Sequence, residues 1–200
     1  GTKITVPITK SGITIQGRRA DNQATASEGT TGAENAPKLV AGSDFADAIL
    51  EIAGDNVKVR GIELNTINNG TANSAISIAT DSSFAGITVD NNTMKIDAAD
   101  VAVNVGDGAT AQGLIVTDNV IKTTGGTGVA LMVANDGTVT ADSAGGALLG
   151  GATITGNALT FAGIDLNAGR ALESVTISDN VFDHGNGIKV SDPSSGGGII

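Results

Sequence analysis

The chain has 200 residues, a formal net charge of −10 and 40% hydrophobic residues, enough apolar material for one domain with a sizeable core. The negative charge argues against nucleic acid and anionic membranes as partners, and no apolar stretch reaches the roughly 18–20 residues of a membrane-spanning helix. Cysteine, tryptophan and tyrosine are absent, which excludes disulfides, thiolate metal sites and large aromatic platforms for sugar binding.

Apolar residues alternate with period two along most of the chain, and helical periodicity is nearly absent. Each repeat reads as three short strands, called a, b and c: strand a precedes a polar corner, strand b follows it, and strand c comes last. Three strands per repeat cannot form hairpins without leaving unmatched strands. We therefore expect each strand to pair in parallel with its counterpart one turn away, about 4.8 Å along the axis. The expected inward residues of strand a are Ile13/Ile15, Val57/Val59, Ile87/Val89, Leu114/Val116, Ala152/Ile154 and Val175/Ile177. Those of strand b are Leu64, Met94/Ile96, Ile121, Leu159/Phe161 and Phe182, and those of strand c are Ile52, Ile76/Ile78, Val101/Val103/Val105, Val129/Leu131/Val133, Ile164/Leu166 and Ile188/Val190.

An asparagine recurs at the corner between strands a and b. The four members are Asn92, Asn119, Asn157 and Asn180, each three residues after the last inward residue of strand a. Asparagine tolerates the left-handed backbone conformation of a sharp corner, and its amide can bond to the backbone and to the asparagine of the next turn. We therefore expect an inward, structural Asn ladder in preference to a row of ligand-binding amides. Ile62 and Arg18 stand at the equivalent places of the first turns, so the corner there should be built differently.

Several strings resemble the right-handed parallel β-helix repeat of the pectate-lyase-like superfamily. They are Gly12-Ile-Thr-Ile-Gln-Gly17, Ile52-Ala-Gly-Asp-Asn-Val-Lys-Val-Arg-Gly-Ile62 and the recurring Ile-Thr-Ile-x-x-Asn-x-Phe pattern. The resemblance extends over nearly the whole chain and implies an all-β, right-handed parallel β-helix, with about six turns of three short strands. That superfamily includes polysaccharide lyases, epimerases, phage tailspikes and surface adhesins, so the resemblance is specific for fold and unspecific for function.

We expect residues 1–200 to form a single β-helix domain that is a segment of a longer chain or one subunit of an assembly. Two insertions, residues 18–36 and 134–150, interrupt the coil, and Leu148 and Leu149 in the second should pack on the coil or on a partner. A stacked coil exposes an apolar cross-section and unpaired strand edges at its ends. The expected partners are therefore the protein itself or adjoining domains, bound through these open ends.

A candidate binding surface lies on the outward side of strand b. Lys95 and Lys122 fall in one column, one turn apart, and could together bind a uronate. The resemblance to polysaccharide lyases implies an alternative reading in which Lys95, Lys122, Arg60 and Asp183 act on an acidic glycan. Strand faces also carry lysine to deter aggregation, and no Arg-x-Pro-x-x-Arg lyase signature is present. The single histidine, His184, lies in a Gly-rich turn and is read as a loop residue.

Acidic and amide clusters raise the question of calcium binding. They are Asp90-Asn91-Asn92, Asp97/Asp100, Asp118-Asn119 and Asp179-Asn180. Oxygen ligands suit a hard cation, but Asp and Asn are also common turn residues, and the Gly-Gly-x-Gly-x-Asp calcium repeat is missing. We therefore assign no cofactor and no metal, with calcium left as an alternative. Outward threonines on strand a hint at an ice-binding type of face, but Ile115, Asp90 and Lys58 interrupt it.

Taken as a sequence, the chain predicts a secreted or cell-surface protein of bacterial type with a structural, assembly or adhesive role. Filament formation by end-to-end stacking is one form of that role, and no catalytic residues are assigned. The alternative is a polysaccharide lyase or epimerase, for which a glycan would be the partner. The charge of −10 and the lack of tryptophan and tyrosine count against the alternative.

Overall fold

The chain is built from short strands wound into a coil. A computed structural model describes residues 4–6, 10–17, 37–41, 48–67, 74–98, 100–106, 109–124, 128–133, 148–150, 153–160, 162–166, 172–173, 176–184 and 187–190. In chain order the strands are β1 (Ile4–Val6), β2 (Thr14–Gln16), β3 (Lys38–Val40), β4 (Leu50–Ile52), β5 (Lys58–Arg60), β6 (Glu63–Asn65), β7 (Ser74–Ile78), β8 (Ser83–Ala85), β9 (Thr88–Asp90), β10 (Thr93–Ile96), β11 (Val101–Val105), β12 (Thr110–Gln112), β13 (Ile115–Thr117), β14 (Val120–Thr123), β15 (Gly128–Val133), β16 (Leu148–Gly150), β17 (Thr153–Thr155), β18 (Ala158–Thr160), β19 (Ala162–Leu166), β20 (Leu172–Glu173), β21 (Thr176–Ser178), β22 (Val181–Asp183) and β23 (Gly187–Val190). The described ranges contain no helix, and therefore none that could cross a membrane.

All strand pairs among the described residues are parallel, and they form four sheets. Sheet a contains β2, β5, β9, β13, β17 and β21; sheet b contains β3, β6, β10, β14, β18 and β22. Sheet c contains β1, β4, β7, β11, β15, β19 and β23, and sheet d contains β8, β12, β16 and β20. Because neighbours within each sheet come from successive repeats, the chain is a parallel β-solenoid. The all-β, parallel solenoid predicted from the sequence is confirmed at this level.

The prediction of three strands per repeat is wrong for the middle of the chain, where sheet d supplies a fourth. Its strands are only two or three residues long, and β8 and β12 each bury a single side chain, Phe84 and Ala111. One inward residue per strand leaves no period-two signal to read in the sequence. Residues 148–150, which the sequence assigns to an insertion, form β16 and pair with β12 and β20.

The core is one continuous column of aliphatic side chains from sheets a to d. Register places inward residues directly above one another, as in Leu50–Ile76–Val103 of sheet c, and all three are fully enclosed. Stacking identical positions fills the interior with little need for large aromatic side chains, which accords with only four Phe in the whole chain. On the outer faces of sheets a and b, the outward side chains of successive strands therefore also form columns at fixed positions.

Left-handed backbone conformation marks the corner between sheets a and b. The sequence analysis placed it on the corner asparagines, and this was wrong: the residue before each of them has it, as does the residue before Ile62, which holds the equivalent position of an earlier turn. These residues are Gly61 (φ 64°), Asn91 (φ 56°), Asp118 (φ 54°), Gly156 (φ 68°) and Asp179 (φ 55°). Gly, Asn and Asp are the residues that tolerate positive φ at least cost. The corner asparagine is thus free to point its side chain inward.

Several predictions fall outside the described residues. The insertion 18–36, the first 14 residues of the insertion 134–150, and the inward positions Ala152, Phe161 and Val175 belong to that part of the chain.

Candidate functional sites

The asparagine row, meaning Asn92, Asn119, Asn157 and Asn180, is bonded in series. Asn92 donates to Asn119 Oδ1 from its backbone N (2.9 Å) and from Nδ2 (3.1 Å). Asn119 donates in the same two ways to Asn157 Oδ1, at 3.0 and 3.1 Å. Asn157 does so to Asn180 Oδ1, at 3.0 and 2.9 Å. The carboxamide oxygens of Asn119, Asn157 and Asn180 therefore each accept two hydrogen bonds from the asparagine of the preceding turn, whereas Asn92 Oδ1 accepts from Ile62 N at 3.2 Å.

The remaining protons of the row satisfy backbone carbonyls of sheet a. Asn92 Nδ2 donates to Val59 O (3.0 Å), and Asn119 Nδ2 donates to Val89 O (2.9 Å). Asn92, Asn119 and Asn157 are almost completely buried. A polar group buried without a partner costs about 1–3 kcal/mol, so these bonds decide whether the corner can be enclosed. The amides of Asn92, Asn119 and Asn157 are thus engaged by partners within the chain and are not open to a ligand.

The candidate glycan-binding residues are divided between two sheets. Lys95 and Lys122 are register partners on β10 and β14, while Asp183 lies two strands further along sheet b. Arg60 lies on β5 of sheet a, where its register partner is Asp90. Two strand spacings separate Lys122 from Asp183 by about 9–10 Å. The structure therefore brings the two lysines together and leaves Arg60 and Asp183 away from them.

Ion pairs engage Lys95 and Arg60, two of these four residues. Lys95 Nζ lies 3.0 Å from Glu63 Oε1, and Lys38 Nζ lies 3.4 Å from the same oxygen. The Glu63 side chain is largely enclosed, so Lys38 and Lys95 together neutralise a buried carboxylate. Sequence reasoning missed Glu63, because β3, which carries Lys38, follows the insertion 18–36 and its register could not be read from the sequence.

Arg60 belongs to a second polar cluster, formed with Lys58 and Asp90, and Asn91 follows Asp90 in the chain. Lys58 Nζ and Arg60 Nη2 both lie 3.5 Å from Asp90 Oδ2. Arg60 Nε, Asp90 Oδ1 and both side-chain polar atoms of Asn91 are buried without a hydrogen-bond partner. Because those atoms have no access to solvent, the cluster offers them to no external ligand, and the Arg60 guanidinium is committed to Asp90.

His184 and Asp183 contact each other at the far end of sheet b. His184 Nδ1 lies 2.5 Å from Asp183 Oδ1, both side chains are exposed, and His184 has a left-handed φ of 57°. The pair sits on an open surface with no enclosing wall of described residues, which does not form a catalytic cleft.

The carboxylates of the predicted oxygen clusters are either exposed or engaged by partners within the chain. Asp118 and Asp179 are exposed at the corner, Asp90 is ion-paired, and Asp100 accepts a short hydrogen bond from Thr66 Oγ1. Asp97 Oδ1 accepts from Thr124 Oγ1 at 2.6 Å. Among the described residues, no three His, Asp or Glu side chains are grouped so that they could hold a metal ion.

Comparison of the chain with known protein families, with curated proteins and with solved structures found no significant match.

Proposed function

We propose that the chain is a non-catalytic structural module of a secreted or cell-surface protein that assembles through the ends of its coil. One observation carries this proposal. Ile164 and Ile188 are register partners at the same inward position of sheet c, yet Ile164 is 2% exposed and Ile188 is 47% exposed. An apolar core position that is half open to solvent on the last described strand of a solenoid is a surface on which a further layer can stack.

The architecture supports a continuous scaffold. Six strands each in sheets a and b support the proposed count of about six turns. Parallel crossover connections are almost always right-handed, which supports the right-handed, pectate-lyase-like form of the coil. The bonded asparagine row supports a structural Asn ladder that holds one corner together. The net charge of −10 is consistent with a self-repelling extracellular surface.

The edge strands at the two ends are compatible with stacking of copies. Continuing the register of sheets a and b would place β2 of one copy on β21 of another, and β3 on β22. The inward residues Ile15 and Leu39 would then meet Ile177 and Phe182, and all four are only partly buried in one chain. Such head-to-tail contacts propagate as a fibre, since the same interface repeats without closing.

Sedimentation velocity across a wide concentration range tests this proposal. We expect the sedimentation coefficient of the 200-residue chain to rise with concentration. Ile188→Lys should suppress the rise, because it places a charge in the open cross-section. Ile115→Lys is the matched control, since Ile115 is also exposed (39%) but points outward from sheet a, and it should associate normally. A wild-type chain that remains monomeric at all concentrations would contradict the proposal.

A polysaccharide lyase or epimerase is the second candidate, favoured by the register pairing of Lys95 with Lys122. The ion pairs of Lys95 and Arg60 and the separation of Asp183 count against it. We expect no ultraviolet absorbance from unsaturated products when the chain is incubated with pectate or alginate. Cleavage that is lost in both Lys95→Ala and Lys122→Ala would favour the enzyme instead.

A further inference from the structure

Buried polar atoms without a partner are concentrated at one corner of the coil. Among the described residues, five buried side-chain atoms lack a hydrogen-bond partner, and four of them belong to Arg60, Asp90 and Asn91. They are Arg60 Nε, Asp90 Oδ1, and both Nδ2 and Oδ1 of Asn91. Buried polar atoms of folded proteins are nearly always bonded, either to the protein or to enclosed water. Four such atoms in neighbouring residues therefore point to a partner outside the polypeptide.

The three residues lie together across two turns in the body of the coil. Arg60 and Asp90 are register partners on β5 and β9, and Arg60 Nη2 lies 3.5 Å from Asp90 Oδ2. The backbone oxygen of Asn91 accepts from Gly61 N at 3.1 Å, which places Asn91 beside the residue that follows Arg60. Asn91 is only 1% exposed. The four atoms therefore belong to one enclosed region between the turns of β5 and β9.

The chemistry of the four atoms selects the partner. Arg60 Nε and Asn91 Nδ2 are donors, whereas Asp90 Oδ1 and Asn91 Oδ1 are acceptors. The charge of Asp90 is already matched, because Lys58 Nζ and Arg60 Nη2 both lie 3.5 Å from its Oδ2. A cation would be repelled by the guanidinium and an anion by the carboxylate. The partner is therefore a small neutral molecule that both donates and accepts, and water meets these requirements.

We propose that this corner encloses ordered water bonded to Arg60 Nε, Asp90 Oδ1 and the Asn91 carboxamide. The water is enclosed as the two turns stack, since bulk solvent reaches none of the four atoms. This site is independent of the ends of the coil and of the proposed assembly.

The site lies at the step where the asparagine row stops. Ile62 holds the corner position on the earlier of the two turns, and its backbone N donates to Asn92 Oδ1 at 3.2 Å. Isoleucine has no side-chain amide, so this step lacks the amide-to-amide bond that links Asn92 to Asn119 at 3.1 Å. Water that bridges two protein groups is nearly as favourable as a direct hydrogen bond. The enclosed water thus provides, between these two turns, polar bonds that asparagine provides between later turns.

Magnetisation transfer from water to protein N–H groups tests the site in the isotope-labelled full chain. The Asn91 Nδ2 protons and the Arg60 Nε proton should receive direct Overhauser transfer from a long-lived water. Comparison of laboratory-frame with rotating-frame transfer separates a held water from proton exchange. Asn119 Nδ2 is the matched control, because this amide is equally buried but bonded to Val89 O and Asn157 Oδ1, and it should receive none. No transfer at Asn91 and Arg60, or equal transfer at Asn119, would overturn the proposal.

A pair of glycine variants tests the contribution of the water to stability. Asn91 and Asp118 occupy the same corner column with nearly the same left-handed φ, 56° and 54°, and glycine relieves backbone strain equally at both positions. Asp118 is exposed, so Asp118→Gly reports the backbone effect alone. Asn91→Gly should have a lower urea midpoint than Asp118→Gly, because the enclosed water loses its bonds to the carboxamide. Removing an amide that had no partner would be favourable instead, so a midpoint for Asn91→Gly equal to or above that of Asp118→Gly would contradict the proposal.

Discussion

The middle of the coil and its C-terminal end use the same inward positions with different results. Val103 and Ile188 belong to one column of sheet c, yet Val103 is completely buried while nearly half of Ile188 faces solvent. The strand that carries each residue is equivalent; what differs is whether a turn lies on both sides. Burial in this molecule is therefore provided by neighbouring turns, and a single turn cannot enclose its own apolar face.

The largest expected effect contrasts two positions of this column. Ile76→Ala should lower the free energy of unfolding by about 2–5 kcal/mol, because it opens a cavity between two layers. Ile188→Ala should cost roughly 1 kcal/mol in dilute solution, since much of its surface is already hydrated. Urea denaturation followed by circular dichroism measures both. Equal losses would show that the end is as enclosed as the middle.

The asparagine row gives the next contrast. Asn119→Ala should cost about 1–3 kcal/mol, because the backbone N–H and Nδ2 of Asn92 lose their acceptor in a buried place. Asn180→Ala removes the acceptor of Asn157 in the same way, but Asn180 is only half-buried and water can replace it. The asymmetry should appear as a smaller shift in the urea midpoint for Asn180→Ala. A larger shift at Asn180 than at Asn119 would contradict the comparison.

Two glycines compare a crowded corner with an open one. Gly156 and Gly187 have nearly the same left-handed φ, 68° and 67°. A Cβ added to Gly156 would lie 2.5 Å from Asp118 Oδ1, whereas one added to Gly187 would meet nothing within 4 Å. Both alanine variants should lose about 1–2 kcal/mol from backbone strain, and Gly156→Ala should lose more because the Asp118 side chain must move. Thermal melts of the two variants measure the difference.

The smallest effect concerns the outward lysines of sheet b. Lys95→Ala should cost about 0.2–1 kcal/mol, since it leaves Glu63 with Lys38 as its remaining ion-pair partner. Lys122→Ala should be close to neutral or slightly stabilising, because it removes a like charge beside Lys95. Raising the salt concentration should shrink the Lys95 effect. A cost at Lys122 equal to that at Lys95 would mean that the ion pair with Glu63 does not stabilise the fold.

The sequence allowed much of the fold to be predicted and little of the site. Inward positions such as Val89 were readable because a second inward residue, Ile87, lies two positions before it and makes the period-two alternation visible. Sheet d was missed because β8 encloses only Phe84. The recurrence of asparagine was visible in the sequence as a repeat. The direction of the hydrogen bonds between successive asparagines was not, because it depends on strand register and side-chain rotamers. Glu63 was missed because its lysine partners come from strands far apart in the chain, at 25 and 32 residues.

Spacing along the asparagine row has a consequence for how such a chain can diversify. The sequence separations of its three steps are 27, 38 and 23 residues, while the Nδ2–Oδ1 distances are 3.1, 3.1 and 2.9 Å. The number of residues in a turn is thus uncoupled from the geometry of the corner. Extra residues between strands leave the stack unchanged, because loop closure becomes only slowly less favourable with length. New segments, or even whole domains, could therefore be inserted between Asn119 and Asn157, the longest step of the row. Such insertions would change the surface of the protein and leave its interior as it is.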